Sequence, residues 1–280
     1  MAWVTGAAGF IGRHLCAELL EQGWQVLALD NLSAPHAPSG WLQLQQRQAQ
    51  GAPLALFERE VGAAEHWFDL PQPECVFHLA GRPGVRDSTD FLLYARSNIE
   101  PTAALLKICA QRQISHLVFA SSSSVYGDAP LHQPLHEDHP CAPRSVYGQS
   151  KLACETLIST AARETPLQAV LLRFFSVYGP EQRPDMAFMQ WAQALWQGHA
   201  LRLHDAETMV RDFTYVKDVV AGCLQAAAFL KRPEALRQPC WCFNLGSGQK
   251  TPLNQAVQQL ILSFEQVAVA GLQPQFESCA

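Results

Sequence analysis

Two spacings of apolar residues alternate along the first two-thirds of the chain. Ala2-Trp-Val4, Gln25-Val-Leu-Ala-Leu29, Glu74-Cys-Val-Phe-His-Leu79 and Ser115-His-Leu-Val-Phe-Ala120 are short, nearly continuous apolar runs. Strands buried on both faces leave runs of this kind. Stretches of helical period follow them: positions 10, 11, 14, 15, 18 and 19 after the first run, and Lys151-Leu-Ala-Cys-Glu-Thr-Leu-Ile158 further on. The alternation predicts an α/β fold, a Rossmann-like doubly wound parallel sheet with helices on both faces. Ligands of such sheets bind at the carboxyl ends of the strands, which here carry Gly6, Asp30, Ala80-Gly81 and Ser121-Ser122. After residue 175 the rhythm loosens into loops, a proline-rich stretch and helices. The expected division is 1–175 as the nucleotide-binding sheet domain with the catalytic side chains. Residues 176–280 are expected to form mainly a smaller C-terminal substrate-binding cap, with some segments returning to the sheet. Leu42 to Gln50 is Gln-rich and reads as a solvated helix.

Between the first strand and the first helix stands Thr5-Gly-Ala-Ala-Gly-Phe-Ile-Gly12. Gly6 permits a tight turn, Gly9 lets backbone approach a pyrophosphate, and Gly12 lets helix pack close to strand. The free N–H groups from Phe10 and Ile11 onward open the helix toward phosphate oxygens. Asp30 ends the second apolar run, roughly where a ribose 2′-hydroxyl needs a carboxylate partner, ~20 residues after the turn. An acid there repels a 2′-phosphate, so the expected cofactor is NAD rather than NADP.

The candidate chemistry lies further along. Tyr147 and Lys151 are four residues apart at the start of a helical stretch, which puts phenol and ammonium on one face. A phenol with a pKa of ~10 is a poor base at neutral pH, but a nearby ammonium favours phenolate. Such a group can take a proton from a hydroxyl while the adjoining carbon gives up a hydride. Ser122, at a strand end, is placed to hydrogen-bond the reacting oxygen, and Lys151 to hold the nicotinamide ribose. A chance Tyr-x-x-x-Lys is common; its position after a Rossmann turn and a serine-rich strand end is what singles this one out.

Composition narrows the picture without redirecting it. A chain of 280 residues that is 48% hydrophobic can bury a full core. The net charge of −5 gives no sign of nucleic acid or an anionic membrane as partner. With no long apolar run and no basic leader, the expectation is a cytoplasmic protein. Nine cysteines are scattered, several inside apolar stretches, and read as reduced buried thiols. Cys240-Trp-Cys242 and the histidines His132, His136 and His139 have spacings that invite a metal reading. The first lies in a strand-like run and the second in a proline-broken loop, so no metal is expected.

Several motifs together resemble the extended short-chain dehydrogenases that act on nucleotide sugars. They are Thr5–Gly12, His78-Leu-Ala-Gly81, Ser121-Ser-Ser-Ser-Val-Tyr-Gly127, Tyr147-x-x-x-Lys151 and Arg211-Asp-Phe213. Gly84-Val-Arg-Asp-Ser88, Arg173-Phe-Phe-Ser-Val-Tyr-Gly-Pro180, Arg183-Pro-Asp-Met-Ala187 and Arg211-Asp-Phe-Thr-Tyr215 make the chain look like the UDP-glucuronate 4-epimerase branch. The resemblance implies NAD as cofactor and a UDP-sugar as substrate. It also implies a homodimer through two helices packed as a four-helix bundle. It assigns Ser122, Tyr147 and Lys151 to catalysis. Asn31, Leu79, Ala80, Gly81 and Asn98 join the glycine turn and Asp30 around the cofactor. Arg86, Ser88, Ser123, Ser124, Ser176, Arg183 and Arg211 fall to the substrate. Related dehydratases carry an Asp-Glu pair where this chain has Ser123-Ser124, and Ser176 replaces the Asn of other sugar epimerases. A hydroxyl cluster with Arg183 would suit a sugar carboxylate, and Arg211 the UDP phosphates.

The chain also departs from the family pattern. Glu60 stands where an Asp usually faces adenine, Ala206-Glu207 where a Gly usually precedes Arg211, and Glu100-Pro101 where a Gly follows Asn98-Ile99. After Asn244-Leu-Gly-Ser-Gly248 the family continues into a segment only faintly visible here. A binding protein that holds NAD with an incomplete sugar site is therefore the alternative to an enzyme. So is an epimerase of neutral UDP-sugars.

Overall fold

The computed structural model describes residues 1–63, 67, 70–84, 89–128, 134–204, 209–267 and 276–279. Along the chain come β1 (Ala2–Thr5), α1 (Phe10–Glu21), β2 (Val26–Asp30), α2 (Ala37–Ala49), β3 (Leu54–Glu58), β4 (Cys75–His78) and α3 (Phe91–Tyr94). Next are α4 (Glu100–Gln111), β5 (His116–Ser122), α5 (Val146–Glu164), β6 (Gln168–Phe174), β7 (Ser176–Tyr178), α6 (Ala187–Trp196) and β8 (Leu201–His204). The last are β9 (Val210–Arg211), β10 (Phe213–Tyr215), α7 (Val216–Phe229), β11 (Cys240–Leu245), β12 (Thr251–Pro252), α8 (Leu253–Val267) and β13 (Phe276–Cys279). They pack as two compact units, Met1–Phe174 with Lys217–Leu245, and Phe175–Val216 with Gly246–Ala280.

The first unit is built on a parallel sheet of seven strands in the order β11-β6-β5-β4-β1-β2-β3. Strand order turns back between β1 and β4, which opens a crevice at their carboxyl ends. Both faces are covered, which is why the strands read as unbroken apolar runs. Trp3, Leu27, Val76, Leu117, Phe119 and Leu171 point to the face closed by Leu105 and Ile108 of α4 and Ile158 of α5. Trp3 packs against Trp67 within that core, the rings tilted at 44° with centroids 4.9 Å apart. On the other face α7 meets β11: Phe229 stands edge-on to Trp241 and Phe243 at 5.3 and 5.7 Å.

Strand alternation explains Cys240-Trp-Cys242. Both cysteines turn toward the α5 core and Trp241 turns away. Burial pushes both thiols up, Cys242 to about 12, so neither is a thiolate ready to bind metal or react. His132 lies outside the described residues. The Gln-rich stretch is helical, as α2, but it is solvated on one side only; Trp41 and Leu44 are buried on the other. No described helix is long and apolar enough to cross a membrane.

The second unit holds short two-stranded pieces, parallel β7–β10, antiparallel β9–β12 and parallel β8–β13. Trp191 and Leu195 of α6, Leu201 of β8, and Leu253 and Val257 of α8 form its small core.

Candidate active site

The glycine turn is held too tightly for any side chain. Gly6 has φ +70°, and a Cβ on it would stand 2.6 Å from the backbone nitrogen of Ala80. A Cβ on Gly12 would overlap the Gly6 carbonyl oxygen. At Gly9, where α1 begins, no side chain caps the helix and its first turn carries no acid. The positive end of the helix dipole is therefore left for an external anion.

Asp30 closes the neighbouring strand. Its Oδ2 accepts the Ala8 N–H at 3.0 Å and its Oδ1 the Leu32 N–H at 2.9 Å. Burial raises its pKa against the lowering effect of these backbone donors. Asn31 beside it donates to Glu60 at 2.9 Å, the position of the unusual acid. A tight glycine turn, an uncapped helix start and a carboxylate at the next strand end are the groups a dinucleotide requires, and the residues present fit it.

A chain of hydrogen bonds ties this turn to β4 and α4. The Thr102 hydroxyl donates to the Asn98 carbonyl at 2.7 Å, so its oxygen is left to accept the Nε2–H of His78 at 3.0 Å. The bare Nδ1 of His78 then accepts the Thr5 hydroxyl at 2.7 Å, and Thr5 Oγ1 accepts the Ala80 N–H at 3.2 Å. Burial first, and the charge of Lys151 second, lower the His78 pKa from 6.5 to about 3. The unfolded chain therefore binds a proton near pH 6.5 that the folded chain refuses until about pH 3. Stability should fall as pH drops through that interval. His78→Gln, which has no proton to gain, should lose less over the same range when thermal midpoints are compared with pH. Parallel losses in the two chains would rule out a neutral His78.

Asn98 joins the strand end to α5. Its Oδ1 accepts the Arg82 N–H at 2.6 Å, and its Nδ2 donates to Ser150 Oγ at 2.8 Å. Ser150 Oγ in turn donates to the Tyr147 carbonyl at 2.8 Å. Lys151 is almost fully buried: Nζ donates to the Ala120 carbonyl at 2.9 Å and lies 4.8 Å from the Phe119 ring centre. Burial lowers its pKa. Leu79, Ala80 and Gly81 follow β4; a Cβ on Gly81 would come within 3.0 Å of Asn98 Oδ1 and 3.5 Å of Lys151 Nζ.

Ser122 ends β5 and caps the single 3-10 turn Ser123–Val125, accepting the Ser124 N–H at 3.2 Å and donating to Ser124 Oγ at 3.1 Å. α5 starts where Ser145 accepts the Gly148 N–H at 3.0 Å. Gly148 lies flush against the serine turn, since a Cβ on it would be 2.5 Å from the Ser124 carbonyl oxygen. Tyr147 is the residue before it, in the same first turn of α5. Its ring packs on Gly84, where a Cβ would be 2.8 Å from Cδ1, and on Tyr94 at 6.0 Å between centroids. Tyr94 is held by its hydroxyl on the Pro83 carbonyl at 3.1 Å.

The first unit therefore gathers every described residue assigned to the cofactor or to catalysis. Arg86 and Ser88 lie outside the described residues. Ser176, Arg183 and Arg211 belong to the second unit. There β7 pairs with β10, placing Ser176 N–H on the Asp212 carbonyl at 3.0 Å, next to Arg211. Asp212 holds the following turn by accepting the N–H groups of Ser247 and Gly248 at 2.8 and 2.9 Å. Arg183 is paired with Asp185 through two bonds of 2.9 Å. Sequence reasoning gave no role to Thr5, Gly84, Thr102 or Asp212. Thr5, Gly84 and Asp212 each lie within a quoted motif, and Thr102 within none.

The model of the NAD dependent epimerase/dehydratase family matches residues 2–238. The chain belongs to that family. YtcB of Bacillus subtilis (strain 168), named an uncharacterized UDP-glucose epimerase, is 35% identical over 257 residues, covering 91% of this chain and 79% of that protein. The structure of MoeE5 in complex with UDP-glucuronic acid and NAD is 34% identical with a TM-score of 0.83, over 100% of this chain and 85% of that one. UDP-glucuronic acid 4-epimerase from Bacillus cereus, in complex with UDP-glucuronic acid and NAD, is 30% identical with a TM-score of 0.84, over 99% and 85%. The family is NAD-dependent and its members share the doubly wound sheet described above.

Proposed function

We propose that this chain inverts C4 of a UDP-sugar through a transient 4-keto sugar, converting UDP-glucuronate to UDP-galacturonate. The observation that carries the reading is the hydroxyl turn Ser122–Ser124 set flush against Gly148 in the first turn of α5, the turn that also carries Tyr147. An elimination would require an acid and a base at Ser123 and Ser124, and hydroxyls stand there instead. The relatives whose structures hold UDP-glucuronic acid support the choice of sugar.

Bound NAD supplies hydride acceptance and return at C4, held by the α1 N-terminus and the Asp30 carboxylate. Tyr147 Oη takes the proton of the C4 hydroxyl as the carbon is oxidised, and gives it back after the keto sugar has turned over. The Lys151 ammonium, one helical turn on, favours the phenolate. Ser122 Oγ holds the reacting oxygen. Burial of Lys151 and Asn98 keeps water from competing for these bonds.

A 4-keto uronate is a β-keto acid, with the carboxyl carbon on C5. It loses CO₂ when the C5–carboxyl bond aligns with the carbonyl π system. The chain must hold the carboxylate out of that alignment, and we assign this to Ser123, Ser124, Ser176 and Arg183. The guanidinium of Arg183, which already grips the Asp185 carboxylate with two bonds, has the fork such a group needs. Arg211 is assigned to the UDP phosphates. The exposed Phe91 and Leu92 of α3 support a homodimer, and the free thiols of the described cysteines suit a cytoplasmic, reducing compartment.

Product analysis by NMR beside a CO₂ assay tests the reading. UDP-glucuronate should yield UDP-galacturonate with little CO₂, and Ser176→Ala should raise the ratio of decarboxylated to epimerised product. Ready inversion of UDP-glucose with UDP-glucuronate ignored would replace the uronate reading by a neutral-sugar epimerase.

A further inference from the structure

Three polar residues form one row across the carboxyl ends of adjacent strands. Ser121 of β5 is the register partner of Arg173 of β6, and Arg173 is the partner of Asn244 of β11. Apolar side chains fill the row beneath, Phe119, Leu171 and Cys242, on the face covered by α5. Against the polar row α5 sets Glu155, one turn after Lys151. Arg173 Nε donates to Glu155 Oε1 at 3.0 Å and Arg173 Nη2 to Oε2 at 2.8 Å, and both side chains are almost fully buried.

The pair is wired to the serine turn from both sides. Ser121 Oγ donates to Glu155 Oε1 at 2.5 Å, immediately before Ser122. The Arg173 guanidinium lies 4.7 Å from the ring centre of Tyr126, immediately after Val125. Tyr126 Oη donates to Asn244 Oδ1 at 2.6 Å. Asn244 then binds the loop before α5, donating Nδ2 to the Leu135 carbonyl at 2.9 Å and its N–H to Glu137 Oε1 at 2.7 Å. Arg173 Nη1 reaches the Glu137 carbonyl at 3.1 Å. A buried ion pair is a weak source of stability, because desolvation of both charges offsets their attraction. What it does supply here is direction: one carboxylate on the helix that carries Tyr147 and Lys151 fixes both ends of the turn that carries Ser122, Ser123 and Ser124.

We propose that Glu155 and Arg173 are positioning residues for the reaction, setting the distance between the Ser122–Ser124 turn and the Tyr147–Lys151 face of α5. This rests on the reaction proposed above. Neither is among the residues assigned to substrate or cofactor, and both act through Ser121 and Tyr126. A misplacement of ~1 Å at a reacting group costs about 10²-fold in rate, so loosening this link should lower kcat and leave binding largely intact.

The test separates positioning from plain stability. In the double variant Glu155→Met with Arg173→Met, an apolar pair replaces the ion pair and folding is expected to survive. With NAD bound, its thermal midpoint and its KM for the UDP-sugar should stay close to those of the parent. Its kcat should fall about 10- to 100-fold, and amide hydrogen exchange across 121–127 should quicken while that of the central strands does not. Ser121→Ala, which keeps the ion pair and removes only one hydroxyl link, should lower kcat about fivefold, the worth of one hydrogen bond. Parental kcat in either variant overturns the proposal. If the parent itself turns over no UDP-sugar, the reaction assignment fails, and unchanged exchange across 121–127 in the double variant is then the result that overturns the positioning claim.

Discussion

Tyr147→Phe lowers turnover about 10²–10⁴-fold, the span of a well-placed acid/base group, and leaves NAD bound. The substitution removes one oxygen and keeps the ring. The ring is what the fold grips: it packs on Gly84 and Tyr94 and leads into Gly148, which is flush against Ser124. The variant should therefore fold as the parent does. Its bound NAD should be retained, because the glycine turn and Asp30 are untouched. Steady-state kinetics with UDP-glucuronate beside a titration of NAD make the check. Turnover near the parental rate would remove Tyr147 from the mechanism.

Gly6→Ala should damage both stability and cofactor binding. Its φ of +70° strains any residue with a Cβ, by roughly 1–2 kcal/mol. That Cβ would also press 2.6–2.8 Å from the backbone of Leu79 and Ala80, overpacking worth about 1–3 kcal/mol more. The strand end cannot yield freely, because Ala80 N–H is held by Thr5 and Thr5 by the buried His78. The cost is expected to divide between a lower thermal midpoint and an NAD affinity reduced about a hundredfold. Unchanged values of both would mean that the turn is looser than its geometry.

The two predictions differ in how far the sequence alone could have led to them. The glycine turn is a local object. Its spacing, the apolar runs on each side and Asp30 at the next strand end can be read in order, because backbone conformation and strand burial depend on near neighbours. The same holds for the pairing of Tyr147 with Lys151, which needs only one helical turn. The doubly wound sheet and the candidate catalytic side chains were legible for that reason.

What joins those pieces depends on contacts between residues far apart in the chain, and such contacts leave no period to read. Gly84 looks like one residue of a motif until the ring of Tyr147 is placed on it. Gly148 looks like a poor choice inside a helix until the Ser124 carbonyl is found against it. Ser121, Arg173 and Asn244 come from three strands widely separated in sequence. Only strand register aligns them, and only the docking of α5 brings Glu155 to them. The sequence by itself determined which groups are the candidates for the chemistry and on which elements they ride. The tertiary structure decided how those elements are held against one another, since a buried polar side chain must find its partner in space wherever that partner stands in the chain.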